Sequence, residues 1–81
     1  MSAPTAYITY LANGLPRFNH LAHESNARAA DAALSAWSDA GFPESGAVSD
    51  AVFTAYARLA ESHAAQLAYV AAIAKCRGRF R

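Results

Sequence analysis

Three histidines, a lone cysteine and a basic end carry most of the chemistry this chain could perform. His20, His23 and Glu24 stand in the stretch HLAHE, and on a helix His20 lies one turn from both of the others. That spacing suits a metal ion held by two or three ligands. It is not the order H-E-x-x-H, in which two histidines flank a glutamate that serves as general base. No Cys-x-x-Cys pair, second carboxylate–histidine pair or convergent set of acids joins it, as a bundle metal centre would require. The expectation is solvated surface histidines, with no metal and no cofactor.

Covalent catalysis needs a nucleophile, a base within reach and a group that orients the base. Cys76 has basic neighbours but no histidine close in sequence, and the serines and threonines occur outside any G-x-S-x-G turn. The glycines are isolated at Gly14, Gly41, Gly46 and Gly78, so no glycine-rich loop can cradle a phosphate. Neither a catalytic residue nor a small-molecule substrate is expected, and the chain reads as not an enzyme.

The terminal stretch KCRGRFR places Lys75, Arg77, Arg79 and Arg81 around Phe80. Such a tail could contact phosphates while Phe80 stacks on an exposed base. Nucleic-acid binding through Lys75, Arg77, Arg79, Phe80 and Arg81 is therefore the alternative function. Against it, the rest of the chain sets Arg17, Arg28 and Arg58 against Glu24, Asp31, Asp39, Glu44, Asp50 and Glu61. An acidic body with a basic tip is not the broad positive face of a duplex binder. The same end also complements a helix dipole, and it is a weak membrane anchor.

The elements that must position these residues follow from composition and period. With 81 residues, 54% hydrophobic and 16% charged, the chain is expected to form one alanine-rich helical domain over 1–81, with a short basic tail at 75–81. Alanine favours helix yet buries little area per residue, so a thin core is expected, completed by a second copy or a partner. One cysteine excludes an intrachain disulfide. No apolar run is long enough for a bilayer, and the first residues lack the pattern of a signal peptide, so cytoplasmic residence is expected.

Residues 4–13, PTAYITYLAN, mix helix and strand formers. Pro4 suits a first helical turn and Gly14 an exit, which predicts a short N-terminal helix. Residues 16–40 carry a helical period, with Phe18, Leu21, Ala22, Ala29, Ala32, Ala33, Ala36 and Ala40 along one stripe, flanked by Leu34 and Trp37. Gly41 and Pro43 end that helix, and GFPESG reverses the chain. A second helix, capped by Ser45 or Ser49, is predicted to about residue 77. Its apolar residues Val48, Val52, Phe53, Tyr56, Leu59, Ala60, Leu67, Val70, Ile73 and Ala74 span an arc too wide for one neighbouring helix. His63 and Gln66 interrupt that arc at its edge. The fold class is thus all-α: an antiparallel helical hairpin with a short N-terminal helix, which a second copy would complete into a four-helix bundle.

What remains is recognition of another protein. Tyr69, with Ala65, Ala68 and Ala72, is read as lying away from the main stripe, and a tyrosine amid alanines makes a flat contact surface. Tyr7 and Tyr10, one helical turn apart, offer a second patch. The reading is a noncatalytic protein-interaction domain: an adaptor, an assembly subunit or a stoichiometric inhibitor of a larger machine, acting as a homodimer or with a protein partner.

Overall fold

The stretch Tyr7–Tyr10, rich in β-branched and aromatic residues, runs into Asn13–Gly14, a dipeptide suited to hairpin turns. In the computed structural model, which describes residues 7–79, it forms a strand. β1 (Ile8–Tyr10) pairs antiparallel with β2 (Pro16–Phe18), in the register Ile8 with Phe18, Thr9 with Arg17 and Tyr10 with Pro16. Between them the Gly14 N–H donates to the Leu11 carbonyl at 2.9 Å, and the Leu15 N–H to the Asn13 side chain at 3.1 Å. Gly14 sits at φ 87°, a conformation that costs a residue without a Cβ nothing. The short N-terminal helix expected over 4–13 is therefore corrected to a hairpin across its described part. Gly14 closes a turn between strands that find their partner in each other, and Pro4 lies outside the described residues.

Two helices follow: α1 (His20–Asp39) and α2 (Ala47–Arg79). The side chain of Asn19 accepts from the Ala22 N–H at 3.0 Å and caps α1, while its own N–H donates to the Tyr7 carbonyl. Strand therefore passes into helix without a loop. At the other end the Gly41 N–H donates to the Ser38 carbonyl and the Phe42 N–H to the Trp37 carbonyl, the paired bonds of a Schellman motif. Gly41 has φ 85° and Phe42 has φ 58°. The second value is strained for a bulky residue. Two contacts hold it there: Phe42 packs edge-on against Trp37 with centroids 4.7 Å apart, and the Trp37 indole N–H donates to the Pro43 carbonyl at 2.8 Å. The chain break read from Gly41 and Pro43 is present.

Helix α2 begins directly after Gly46, whose carbonyl accepts from the Asp50 N–H at 2.9 Å, so Gly46 holds the cap position expected of Ser45 or Ser49. Ser49 lies inside the helix, buried, with its hydroxyl directed back to the Glu44 carbonyl at 3.4 Å. At 33 residues α2 is about 50 Å long. Its contact face is Val48, Val52, Ala55, Leu59, Ser62, Gln66, Tyr69, Ile73 and Cys76, all buried or half-buried and spaced by alternating steps of four and three. The matching face of α1 is His23, Asn26, Ala30, Ala33 and Trp37. Both have the period of a coiled-coil seam, filled mainly by small or polar residues. Such a seam lets helix axes approach closely, since the spacing depends on the side chains at the contact.

The stripe expected on α1 is rotated. Leu21 is 79% exposed, and Ala29, Ala32 and Ala36 also face outward, whereas His23, Asn26 and Ala27 turn inward. Polar residues could move inward because each finds a hydrogen-bond partner or an aromatic neighbour there, as described below. The mostly helical chain is thus a hairpin of helices with a small two-stranded sheet at one end. Its Cα radius of gyration is 16.4 Å, against roughly 12 Å for a compact chain of this length. It exposes 5893 Å², where a folded monomer of its mass exposes roughly 4,700 Å².

The glycine at the end of α1 can be tested directly. Nothing lies within 4 Å of a Cβ built at Gly41, so Gly41→Ala should act through the backbone alone. It should lower unfolding free energy by about 1 kcal/mol in urea denaturation.

Candidate interaction face

The apolar arc of α2 divides into two seams. Val48, Val52, Leu59 and Ile73 turn towards the interior, while Phe53, Tyr56, Ala60, Leu67, Val70 and Ala74 remain exposed. The exposed set, with His63, again advances in alternating steps of three and four. It forms a second seam about 100° around the helix from the first. Phe53 is 74% exposed, and Leu67 and Val70 are each 59% exposed. A scattered exposed leucine needs no explanation, but here two large pairs, Phe53 with Tyr56 and Leu67 with Val70, stand in one line on either side of Ala60 and His63. Beside the strip, Ala57, Ala64 and Ala71 recur every seventh residue and keep that flank low. A shallow groove lined by His23, Tyr56, Leu59, Ala60 and His63 separates the strip from α1.

Beneath this groove lies the one histidine–serine contact that could suggest chemistry among the described residues. His23 Nδ1 and Ser62 Oγ are 2.6 Å apart. Ser62 is completely buried, and its hydroxyl donates to the Leu59 carbonyl at 3.1 Å. A serine without solvent access is closed to substrate and is not placed to act as a nucleophile. The pair instead crosses the helix seam and satisfies both polar groups. Asn26 acts similarly one turn on, donating to the Tyr7 hydroxyl at 3.1 Å and to the Arg58 carbonyl at 3.2 Å. Together these bonds tie α1 to α2 and to Tyr7, the residue that leads into β1.

The sequence-based candidates fall elsewhere. Tyr69 is not on the open side of α2: it is half-buried and stacks on Phe18, with centroids 5.8 Å apart and planes 29° from parallel. His20 approaches the same ring edge-on at 6.4 Å, and both His20 and His23 pack against Phe18. Phe18, 3% exposed, is the large aromatic in the core, and Tyr69 is the surface it rests on. Ala65 is fully buried and Ala72 half-buried, while Ala68 is exposed. The expected patch around Tyr69 is therefore corrected, because the β-hairpin, unforeseen as such, lies against that side of α2.

Tyr7 and Tyr10 do not form one patch either. Tyr7 precedes β1 and is half-buried, its hydroxyl engaged by Asn26, whereas Tyr10 ends the strand and is 66% exposed. The histidines of HLAHE part similarly, since His23 joins Ser62 while Glu24 pairs with Arg28 at 3.4 Å on the surface. His63 lies exposed within the open strip and Gln66 is half-buried. Lys75 and Arg77 are exposed on α2, whose helix continues through Arg79; Phe80 and Arg81 lie outside the described residues. Among the described residues no helix is long and apolar enough to cross a membrane.

The open seam was legible in the sequence as part of an over-wide arc. A step count would have separated it: Phe53, Tyr56, Ala60, His63, Leu67, Val70 and Ala74 form a second complete three–four series, displaced one residue from the first.

Because Tyr69 supports Phe18, Tyr69→Ala should lower stability by about 2 kcal/mol in chemical denaturation. An unchanged midpoint would show that the stack contributes nothing to folding. Compared with known proteins, the chain matches no family model, no curated protein and no solved structure.

Proposed function

We propose that this chain is a noncatalytic protein-interaction domain that docks through the open seam of α2. The observation that carries the reading is the strip Phe53, Tyr56, Leu67 and Val70, exposed in one line on a long helix. An apolar strip of this kind, flanked by small alanines, is what a helical partner covers. The polar groups inside the fold support the same view, because the His23–Ser62 and Asn26–Tyr7 bonds spend them on holding elements together. Adaptor, assembly subunit and stoichiometric inhibitor all use such a face, and a homodimeric helical bundle is one form the docking takes.

Leu67→Glu places a charge in the middle of the strip at a residue that contributes little to the hairpin's own core. Circular dichroism should show unchanged helicity and an unfolding midpoint close to that of the parent chain. Every association made by the parent chain through this face, with itself or with another protein, should weaken by about 2 kcal/mol or more. Associations of undiminished affinity in the Leu67→Glu chain would overturn the reading.

A further inference from the structure

We infer that the occupant of the open seam is a second copy of this chain, its α2 running antiparallel to the first about a two-fold axis near residues 61 and 62. The inference rests on the docking reading above and adds its partner and register.

The seam is ordered along its length. Aromatic residues, Phe53 and Tyr56, occupy the N-terminal part, and aliphatic residues, Leu67 and Val70, occupy the C-terminal part. Between them stand the small Ala60 and the polar His63. In an antiparallel coiled coil each residue of one seam position packs against the alternate position of its partner. Setting Phe53 against Val70 of the second copy places Tyr56 against its Leu67 and Ala60 against its His63. Every large aromatic then meets a branched aliphatic, and the histidines lie over alanine beside the axis. A parallel pair would instead stack phenylalanine on phenylalanine and histidine on histidine.

Charge selects the same direction. Asp50, in line with Ala57, Ala64 and Ala71, and Lys75, one line further out on the same side, stand near opposite ends of the seam, and neither has an ion-pair partner among the described residues. The antiparallel register brings Asp50 of each copy to Lys75 of the other. The parallel arrangement would set like charges together at both ends. Between these ends the line nearest the seam is Ala57, Ala64 and Ala71, while Glu61 lies on the line of Lys75, one step further out and near the axis.

Shape and area agree. Domains generally pack two layers of secondary structure around a core, and this hairpin is 17 Å across its thinnest dimension and 54 Å along its longest. The excess of its exposed surface over that of a compact monomer is of the order of the ~800 Å² each partner gives to an ordinary interface. The axis falls near the middle of α2, so the two helices overlap over most of their length. In an antiparallel pair both α1 helices lie on the same side of the α2 pair, and the four helices form a bundle.

Sedimentation equilibrium at micromolar concentration should give twice the 8.6 kDa chain mass. Leu67→Glu should give the single-chain mass with helicity retained. Asp50→Lys and Lys75→Glu should each weaken the dimer several-fold, and the chain carrying both reversals should recover it. A nitroxide on the native Cys76 reports direction, because the antiparallel pair sets the two labels about 43 Å apart along the axis, whereas a parallel pair sets them side by side. A parent chain that stays monomeric overturns the inference, as does a short label distance or a double reversal that fails to recover. Each of these leaves the docking reading standing on its own comparison. A dimer that Leu67→Glu leaves intact overturns both.

Discussion

The seam between α1 and α2 is built from small side chains, and most other features of the molecule follow from that. Ala30, Ala55, Ala65 and Ser62 are the buried residues at the helix contact. Small residues allow close approach of two backbones, which gains dispersion contacts along the whole length. They also bury little apolar area each, so the hydrophobic gain per turn is low. A hairpin held in this way depends on what happens at its ends and on the polar groups that bridge it.

Both ends are closed by aromatic residues. At the chain reversal Trp37 packs against Phe42 and donates to Pro43, which fixes a turn that includes a positive-φ phenylalanine. Towards the opposite end Phe18 enters from the β-hairpin and is surrounded by His20, His23 and Tyr69. Between the two, His23–Ser62 and the two bonds of Asn26 fix which face of α1 meets which face of α2. An all-alanine seam would specify register weakly, because one alanine fits another at several offsets. Hydrogen-bonded polar pairs fit only one, since any slip leaves a buried donor or acceptor unsatisfied.

The narrowness of the seam leaves α2 with more apolar surface than α1 can cover. One neighbour covers a stripe roughly 100° wide, and the two apolar seams of α2 are themselves about 100° apart. Val52, Leu59 and Ile73 are half-buried, while Phe53, Tyr56, Leu67 and Val70 are left in solvent. Function, on the reading proposed above, resides in this remainder. The residues with more obvious chemical character, His23, Ser62 and Tyr69, are absorbed into the fold.

Much of the architecture was present in local sequence. The two helices, the break at Gly41 and Pro43, and the excess width of the apolar arc depend on neighbours a few residues apart, although the first helix begins at His20 and the expected start at 16–18, with Phe18, belongs to β2. The β-hairpin was also locally encoded, in Tyr7–Tyr10 and Asn13–Gly14, but each strand is meaningful only with the other, and three-residue strands carry too little period to separate from a short helix. What tertiary structure alone decided was rotation and partnership. Whether His23 faces water or Ser62, 39 residues away, depends on how two helices settle against each other. So does whether Tyr69 stands free or supports Phe18. Alanine faces, uniform around much of each helix, do not encode that rotation; long-range hydrogen bonds and one buried phenylalanine do.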